Sequence, residues 1–307
     1  MRLSIHVLPF SRLYFLLNTI KEISKINNEY KNSFQVVMHS QNGLNLEMHK
    51  NILKSNNINF IVLNENGCGD YLPKIKNAIN VESDYSMKID EDIFITHYVL
   101  QFIMDNLSYL DKENILALTP VLSTGIPSVE MFIEDVLDNT EKQEMYDIFN
   151  NTNIPNLWGA SYEILNKRKE KWDSDYYYGE VSKINHFYKG IHPIRVNENA
   201  QIKMMNFIQN KKDKITEKQD YYIQNKKVPY FCNSVFIIKT KIWRDIINNS
   251  SLYRDPFDEV PINLYKDKYN LDLAFIRNSN SIHPSYNTVG NFLNIATSFS
   301  NILSRWV

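Results

Sequence analysis

Short apolar runs alternate with amphipathic ones through the first hundred residues, and this rhythm constrains the fold more than any other feature of the 307-residue chain. Leu3 to Leu8 reads as a strand that Pro9 ends, and Leu13, Leu16, Leu17, Ile20 and Ile23 then recur at helical spacing. Phe34 to Met38 reads as a second strand, closed by the polar turn His39-Ser40-Gln41-Asn42-Gly43, with a short helix over Leu46 to Leu53. Ile58 to Leu63 is a third strand and Asn64 to Asp70 a loop. Pro73 to Val81 is a helix with proline near its first turn, and Tyr85 to Ile89 a fourth strand. Strands separated by helices predict a parallel sheet with crossover helices. Such sheets bind ligands beyond the carboxyl ends of their strands.

Further along, Ile103 to Leu110 looks helical and Ile115 to Leu118 strand-like. Thr119 to Ser128 reads as a loop with two prolines and a glycine, leading into a helix over Val129 to Leu137. Residues 151 to 227 lose regular alternation. Between Asn166 and Lys227 there are 14 Lys and Arg against 8 Asp and Glu, together with Trp172, Tyr176, Tyr177, Tyr178, Phe187 and Tyr188. Regularity returns with a strand over Val235 to Ile238, a helix over Lys241 to Ile247, a helix over Asp258 to Lys266 and a strand over Leu273 to Ile276. The expected organisation is an α/β half over 1–130, a mostly helical insertion and acceptor region over 131–228, and a second half completing the sheet over 229–290. A C-terminal amphipathic helix over 291–307 follows. There Phe292, Ile295, Phe299, Ile302 and Trp306 recur every three or four residues, a face expected to dock on the body of the chain or on a second copy in a homodimer. Its polar side is Ser and Asn rather than Lys, which weakens the alternative of a membrane surface.

Composition excludes several classes. A formal charge of −1 gives no global field for nucleic acid or membrane. Two cysteines, Cys68 and Cys232, show no zinc spacing and favour a reducing compartment. Pro9, Ser11 and Arg12 interrupt the N-terminal apolar run, which argues against a signal peptide, and no stretch approaches the ~18 apolar residues of a membrane-spanning helix. A cytoplasmic protein is expected, with membrane association as the alternative. There is no Walker A motif, no G-x-G-x-x-G, and no Gly-rich loop after the first strand of the kind a nucleotidyltransferase uses.

Candidate chemistry centres on Lys88-Ile89-Asp90-Glu91-Asp92. Asp90 and Asp92 are two apart, so on extended backbone both side chains leave one face. Paired carboxylates at a strand end repel unless a cation or proton intervenes, and a hard divalent ion bridging them to a diphosphate suits the pair. Acid-x-acid triplets also arise by chance; Glu82/Asp84 and Asp173/Asp175 are others. Their place at the end of a fourth alternating strand sets Asp90 and Asp92 apart. His283 could add a third, imidazole ligand and tilt selection from Mg2+ toward Mn2+, or be a loop histidine bonded to a backbone carbonyl. Asp258 and Glu259, at a helix start with Pro261 in its first turn, are either capping carboxylates or a general base.

In order, these residues resemble the GT-A glycosyltransferases. Asp90-Glu91-Asp92 within YSMKIDEDIFI is similar to their Asp-x-Asp motif, and TPVLSTGIPS over 119–128 resembles a proline-bearing loop that follows the next strand in some members. Asn233 to Ile238 resembles the acceptor-side strand, Phe257 to Pro261 the acidic helix start of inverting members, and His283 falls where many members keep a late metal ligand. The second strand departs from the largest inverting family, ending in His-Ser-Gln-Asn rather than an acidic pair, and residues 150–228 match nothing in it.

The resemblance implies a Rossmann-like, mixed, mostly parallel sheet flanked by helices with an inserted helical region. It implies transfer of a sugar from a nucleoside-diphosphate donor, UDP among the nucleotides, to a hydroxyl acceptor. Asp92 and His283 would hold Mn2+ or Mg2+, and Asp90 the metal shell or ribose. Pro9, Phe10, His39 and Gln41 would surround the base, Lys74 and Lys88 would reach ribose or phosphate, and Asp258 or Glu259 would be the base. The expected acceptor is a surface glycan. The basic, aromatic-rich insertion motivates the alternative of a modified base in DNA, through phosphate contacts and stacking. A non-catalytic sugar-nucleotide binder is the reading from another class.

Overall fold

The computed structural model describes residues 2–9, 13–41, 46–65, 82–123, 128–152, 193–195, 197–211, 220–224, 234–249, 259–283 and 301. One compact unit comprises Met1–Pro120, Tyr221–Lys226 and Cys232–Ile276; the other comprises Val121–Asp220, Lys227–Phe231 and Arg277–Val307. Among the described residues eight strands form the sheet: β1 (Leu3–Leu8), β2 (Phe34–Gln41), β3 (Phe60–Glu65), β4 (Tyr85–Asp90), β5 (Ile115–Leu122), β6 (Asp220–Gln224), β7 (Val235–Lys239) and β8 (Asp272–Ser281). Their order is β3-β2-β1-β4-β7-β5-β8-β6. The run β3-β2-β1-β4 is parallel throughout, and β7 lies antiparallel to both β4 and β5. The fold is α/β, a mixed and mostly parallel sheet flanked by helices.

Alternation along the central strands gives the sheet two unlike faces. Leu3, Ile5 and Val7 of β1 share one face with Val36 and Met38 of β2, Met87 and Ile89 of β4, and Val235 and Ile237 of β7. All nine are at most 1% exposed. Each such side chain contributes about 1.5–3 kcal/mol by leaving water, so this face alone specifies the register. The opposite face carries Ser4, His6, Val37, Ser86, Lys88, Phe236 and Ile238, in matching register.

In the first unit, α1 (Leu13–Ile26) packs against α3 (His97–Asp105), and α2 (Leu46–Ser55) against β2 and β3. The helix α7 (Thr240–Asn248) packs against β4 and β7, and α8 (Glu259–Tyr269) against α7. Asn57 and Asn270 follow α2 and α8 with φ of 53° each. The amide after each donates to the carbonyl five residues back, Ile58 to Leu53 at 3.2 Å and Leu271 to Lys266 at 2.9 Å. Those are Schellman closures with asparagine in the left-handed position that glycine usually fills. In the second unit, α4 (Ser128–Val136), α5 (Asn139–Asn150) and α6 (Glu198–Asn210) pack in sequence around Phe132, Ile133, Met145, Phe149, Met204 and Ile208. Asp138 and Glu141 form a reciprocal capping box at the start of α5.

Several expectations need correction. β2 continues through His39, Ser40 and Gln41, which pair with Leu63, Asn64 and Glu65 of β3; they are strand, not turn. The polar letters there misled, because His39 and Ser40 are both fully buried. β5 extends to Leu122 and so takes in Thr119 and Pro120 of the expected loop. The helix expected from Ile103 instead starts at His97, capped by the Thr96 side chain, and its last part is a separate 3-10 turn over Leu107–Asp111. β6 is a strand within the region expected to be mostly helical. The expected helix over 73–81 lies outside the described residues, as do the amphipathic positions of 291–307 and most of the basic aromatic stretch.

Candidate active site at the end of β4

The chain runs from β1 outward to β2 and β3, then returns to β4 on the other side of β1. Strand order therefore reverses between β1 and β4, and their crossovers leave in opposite directions there. A crevice at the carboxyl ends of two such strands is where open α/β sheets bind ligands. Leu8 and Asp90 are the last register pair of β1 with β4, so Pro9 and Asp90 flank that point.

Asp90 is held in the sheet by its amide, which donates to the Ser234 carbonyl at 2.9 Å. Its own carbonyl accepts from the Ile93 amide at 3.2 Å, closing a four-residue turn with Glu91 and Asp92 at its centre. The expectation that Asp90 and Asp92 leave one face of extended backbone is thus corrected: Asp90 ends the strand and Asp92 rides the turn. The turn carries consecutive acids, with Glu91 7% and Asp92 8% exposed and the Asp90 side chain 24% exposed. Buried carboxylates demand counter-charge. Lys88, itself 1% exposed, supplies some of it, with Nζ 3.0 Å from Asp90 Oδ1.

Among β1, β2, β4 and α7 runs a buried polar seam that sequence reasoning missed. His6 Nδ1 lies 3.2 Å from His39 Nε2, and His6 Nε2 lies 2.9 Å from Ser4 Oγ. Ser4 Oγ also meets Ser83 and Ser86, both of which meet Thr240 at the start of α7. Trp243 of α7 closes the seam, standing edge-on to His6 and to Phe236 at 5.4 Å each. Burial, and then the neighbouring His39, hold the His6 pKa well below the usual histidine value. The His6 ring is packed as an uncharged hydrogen-bonding group. The available signal was the pair of polar residues Ser4 and His6 alternating inside an otherwise apolar strand.

Other expected site residues divide three ways. His39 was expected beside a nucleotide base, but it is fully buried against His6, which gives it an internal role. Pro9 is buried directly after β1 and Gln41 ends β2, its side chain outside the described set. Phe10, Lys74 and Asp258 lie outside the described residues, and Glu259 is described only as the first backbone position of α8. His283 belongs to the second unit, 8% exposed; its amide donates to Ser123 Oγ at 3.0 Å, and the Ser123 amide donates to the Ser281 carbonyl at 3.0 Å. Among the described residues no three His, Cys, Asp or Glu side chains gather as a metal site, and no helix is long and apolar enough to cross a membrane.

No family model and no curated protein matches the sequence. Similar solved structures include residues 1–349 of TarS from S. aureus, with a TM-score of 0.44 at 11% identity over 99% of this chain and 65% of that one. A mannosyltransferase from Pyrobaculum calidifontis, in complex with GDP-Man and Mn2+, gives 0.33 at 13% identity over 39% of this chain and 35% of that one. An inositol-1-phosphate CTP transferase from T. maritima gives 0.42 at 11% identity over 98% of this chain and 96% of that one. The chain thus spans less than two thirds of the length of the first two.

Proposed function

We propose that the chain is a glycosyltransferase that takes its sugar from a nucleoside-diphosphate donor bound at the carboxyl ends of β1 and β4. The observation that carries this reading is the turn Asp90–Ile93, which sets the largely buried acids Asp90, Glu91 and Asp92 at the point where strand order reverses. Acids converging at that point repel a diphosphate unless a cation lies between them. A divalent ion binding nucleotide phosphates needs only one or two protein carboxylates, the phosphates completing its shell. Asp92 and Asp90 are assigned to that ion, Mn2+ or Mg2+. When bound, the ion offsets the negative charge that builds on the departing nucleoside diphosphate.

The chain's own contributions are positional. The Asp90 amide bond to Ser234 and the turn bond from Ile93 hold the carboxylates without a mobile loop. Pro9 and the residues after β1 are assigned to the nucleotide side of the crevice. Glu259, the first residue of α8, or Asp258 before it in sequence is assigned as the base that takes the proton from the acceptor hydroxyl. A glycan of the cell surface is the assigned acceptor.

The test is release of nucleoside diphosphate from a panel of sugar nucleotides with Mn2+, with and without chelator. Asp92→Asn is expected to lower turnover about 100-fold or more, the scale for losing one preorganised charge-stabilising group. Unchanged turnover in that variant rejects the assignment. Release of pyrophosphate from a nucleoside triphosphate and a sugar phosphate, in place of donor turnover, makes the protein a nucleotidyltransferase instead.

A further inference from the structure

Lys88 lies two residues before Asp90 on the same face of β4, with its ammonium 3.0 Å from Asp90 Oδ1. That oxygen is itself buried, and the contact lacks hydrogen-bond alignment, so the two groups meet as opposite charges. The register partners of Lys88 are His6 on β1 and Phe236 on β7, neither of them acidic. Asp90 is a counter-charge that β4 itself provides to Lys88, and the Asp90 side chain is 24% exposed. An amine at 1% exposure has almost no surface to offer ribose or phosphate.

We infer that Lys88 is a positioning residue whose ammonium holds the inner oxygen of Asp90 until a divalent ion competes for that carboxylate. The inference rests on the reading of Asp90 and Asp92 as the carboxylates that meet the ion. Two cations cannot share one carboxylate without mutual repulsion, which strengthens where water is excluded. The ion is consequently bound weakly by the free protein, and the diphosphate of the donor, by adding negative charge, tips the exchange. Lysine suits this task better than arginine because its charge is compact and its stem flexible, so it withdraws without breaking a bidentate pair.

The experiment is titration of nucleotide-free protein with Mn2+, free ion being read by electron paramagnetic resonance. Lys88→Met is expected to bind Mn2+ about tenfold or more tightly than the native chain, as expected when one nearby positive charge is lost. Adding Asp90→Asn to that variant is expected to abolish the gain. Unchanged or weaker binding in Lys88→Met overturns the inference, and so does a gain that survives Asp90→Asn. Lys88→Gln serves the same comparison if the methionine variant does not fold. Should neither fold, amine-directed labelling of the native chain decides: Lys88 is expected to be protected without ion and reactive with excess Mn2+, and unchanged protection overturns the inference. No sugar donor enters these measurements, so failure of the glycosyltransferase reading shows in the turnover assay and failure of the lysine role shows here.

Discussion

Asp90→Asn removes the charge opposite Lys88 while keeping the size of the side chain and one carbonyl oxygen. Two unit charges 3.0 Å apart attract by about 5–6 kcal/mol at an effective dielectric of 20. Desolvation of the lysine already offsets part of that attraction in the native protein. Asp90 is also 24% exposed, so water screens its side of the pair. Losing one partner of a well-buried pair costs about 3–5 kcal/mol, and the screening here reduces the expected loss to about 2–3 kcal/mol. At roughly 2–4 °C per kcal/mol for a chain of this size, Tm falls by about 4–12 °C. The assay is urea and thermal unfolding at pH 7.5 with chelator present, so that no ion substitutes for the missing charge balance. The double variant Lys88→Met/Asp90→Asn, which removes both charges, is expected to recover most of the loss. A single variant within about 0.5 kcal/mol of native, or a double variant no better than the single, refutes the buried pair as described.

Two further outcomes follow from the same structure. The His6 pKa is lowered in the folded state, so the unfolded chain takes up its proton first as pH falls. The stability this group contributes is complete above the usual histidine value of about 6.5 and is lost as pH drops from there toward the depressed folded value. The loss grows between pH 7.5 and 5, and it is measured as the difference in urea stability between native protein and His6→Asn across that range. Identical pH slopes in the two proteins would contradict the neutral packing of His6. Separately, Asn57→Gly is expected to leave stability unchanged or slightly raised, whereas Asn57→Val is expected to cost about 1–2 kcal/mol because a β-branched residue resists positive φ. Equal denaturation midpoints for the two variants would remove the argument for that Schellman closure.

Much of the architecture was legible in the chain because hydrophobic periodicity acts locally. β1 was read with both ends as observed, Leu3 to Leu8, and β4 ended within one residue of its observed terminus at Asp90. Strands with one uninterrupted apolar face leave little freedom in register or boundary. That logic failed where polar letters are buried. His39 and Ser40 looked like a turn because nothing in the local sequence says that His6, 33 positions earlier, supplies a partner in the next strand. The helix at His97 was hidden because its Thr96 cap follows Phe94 and Ile95, which prolong the apolar run of the preceding strand.

For the candidate site the division is similar. Residue type and strand-end position marked Asp90 and Asp92 without any coordinates, since an acidic pair after an apolar strand is a local pattern. Only the tertiary structure decided how they are presented. The bond from the Asp90 amide to the Ser234 carbonyl, 144 positions away in sequence, pins the strand end, and the Asp90–Ile93 turn sets Asp92 off the strand face. It also decided that Lys88 turns inward to Asp90, because the outward surface a lysine normally seeks is taken by β1, β7 and α7. Sequence thus determined which charges are present at the end of β4. Burial, which is a property of all the strands and helices packed together, determined which of those charges must answer one another.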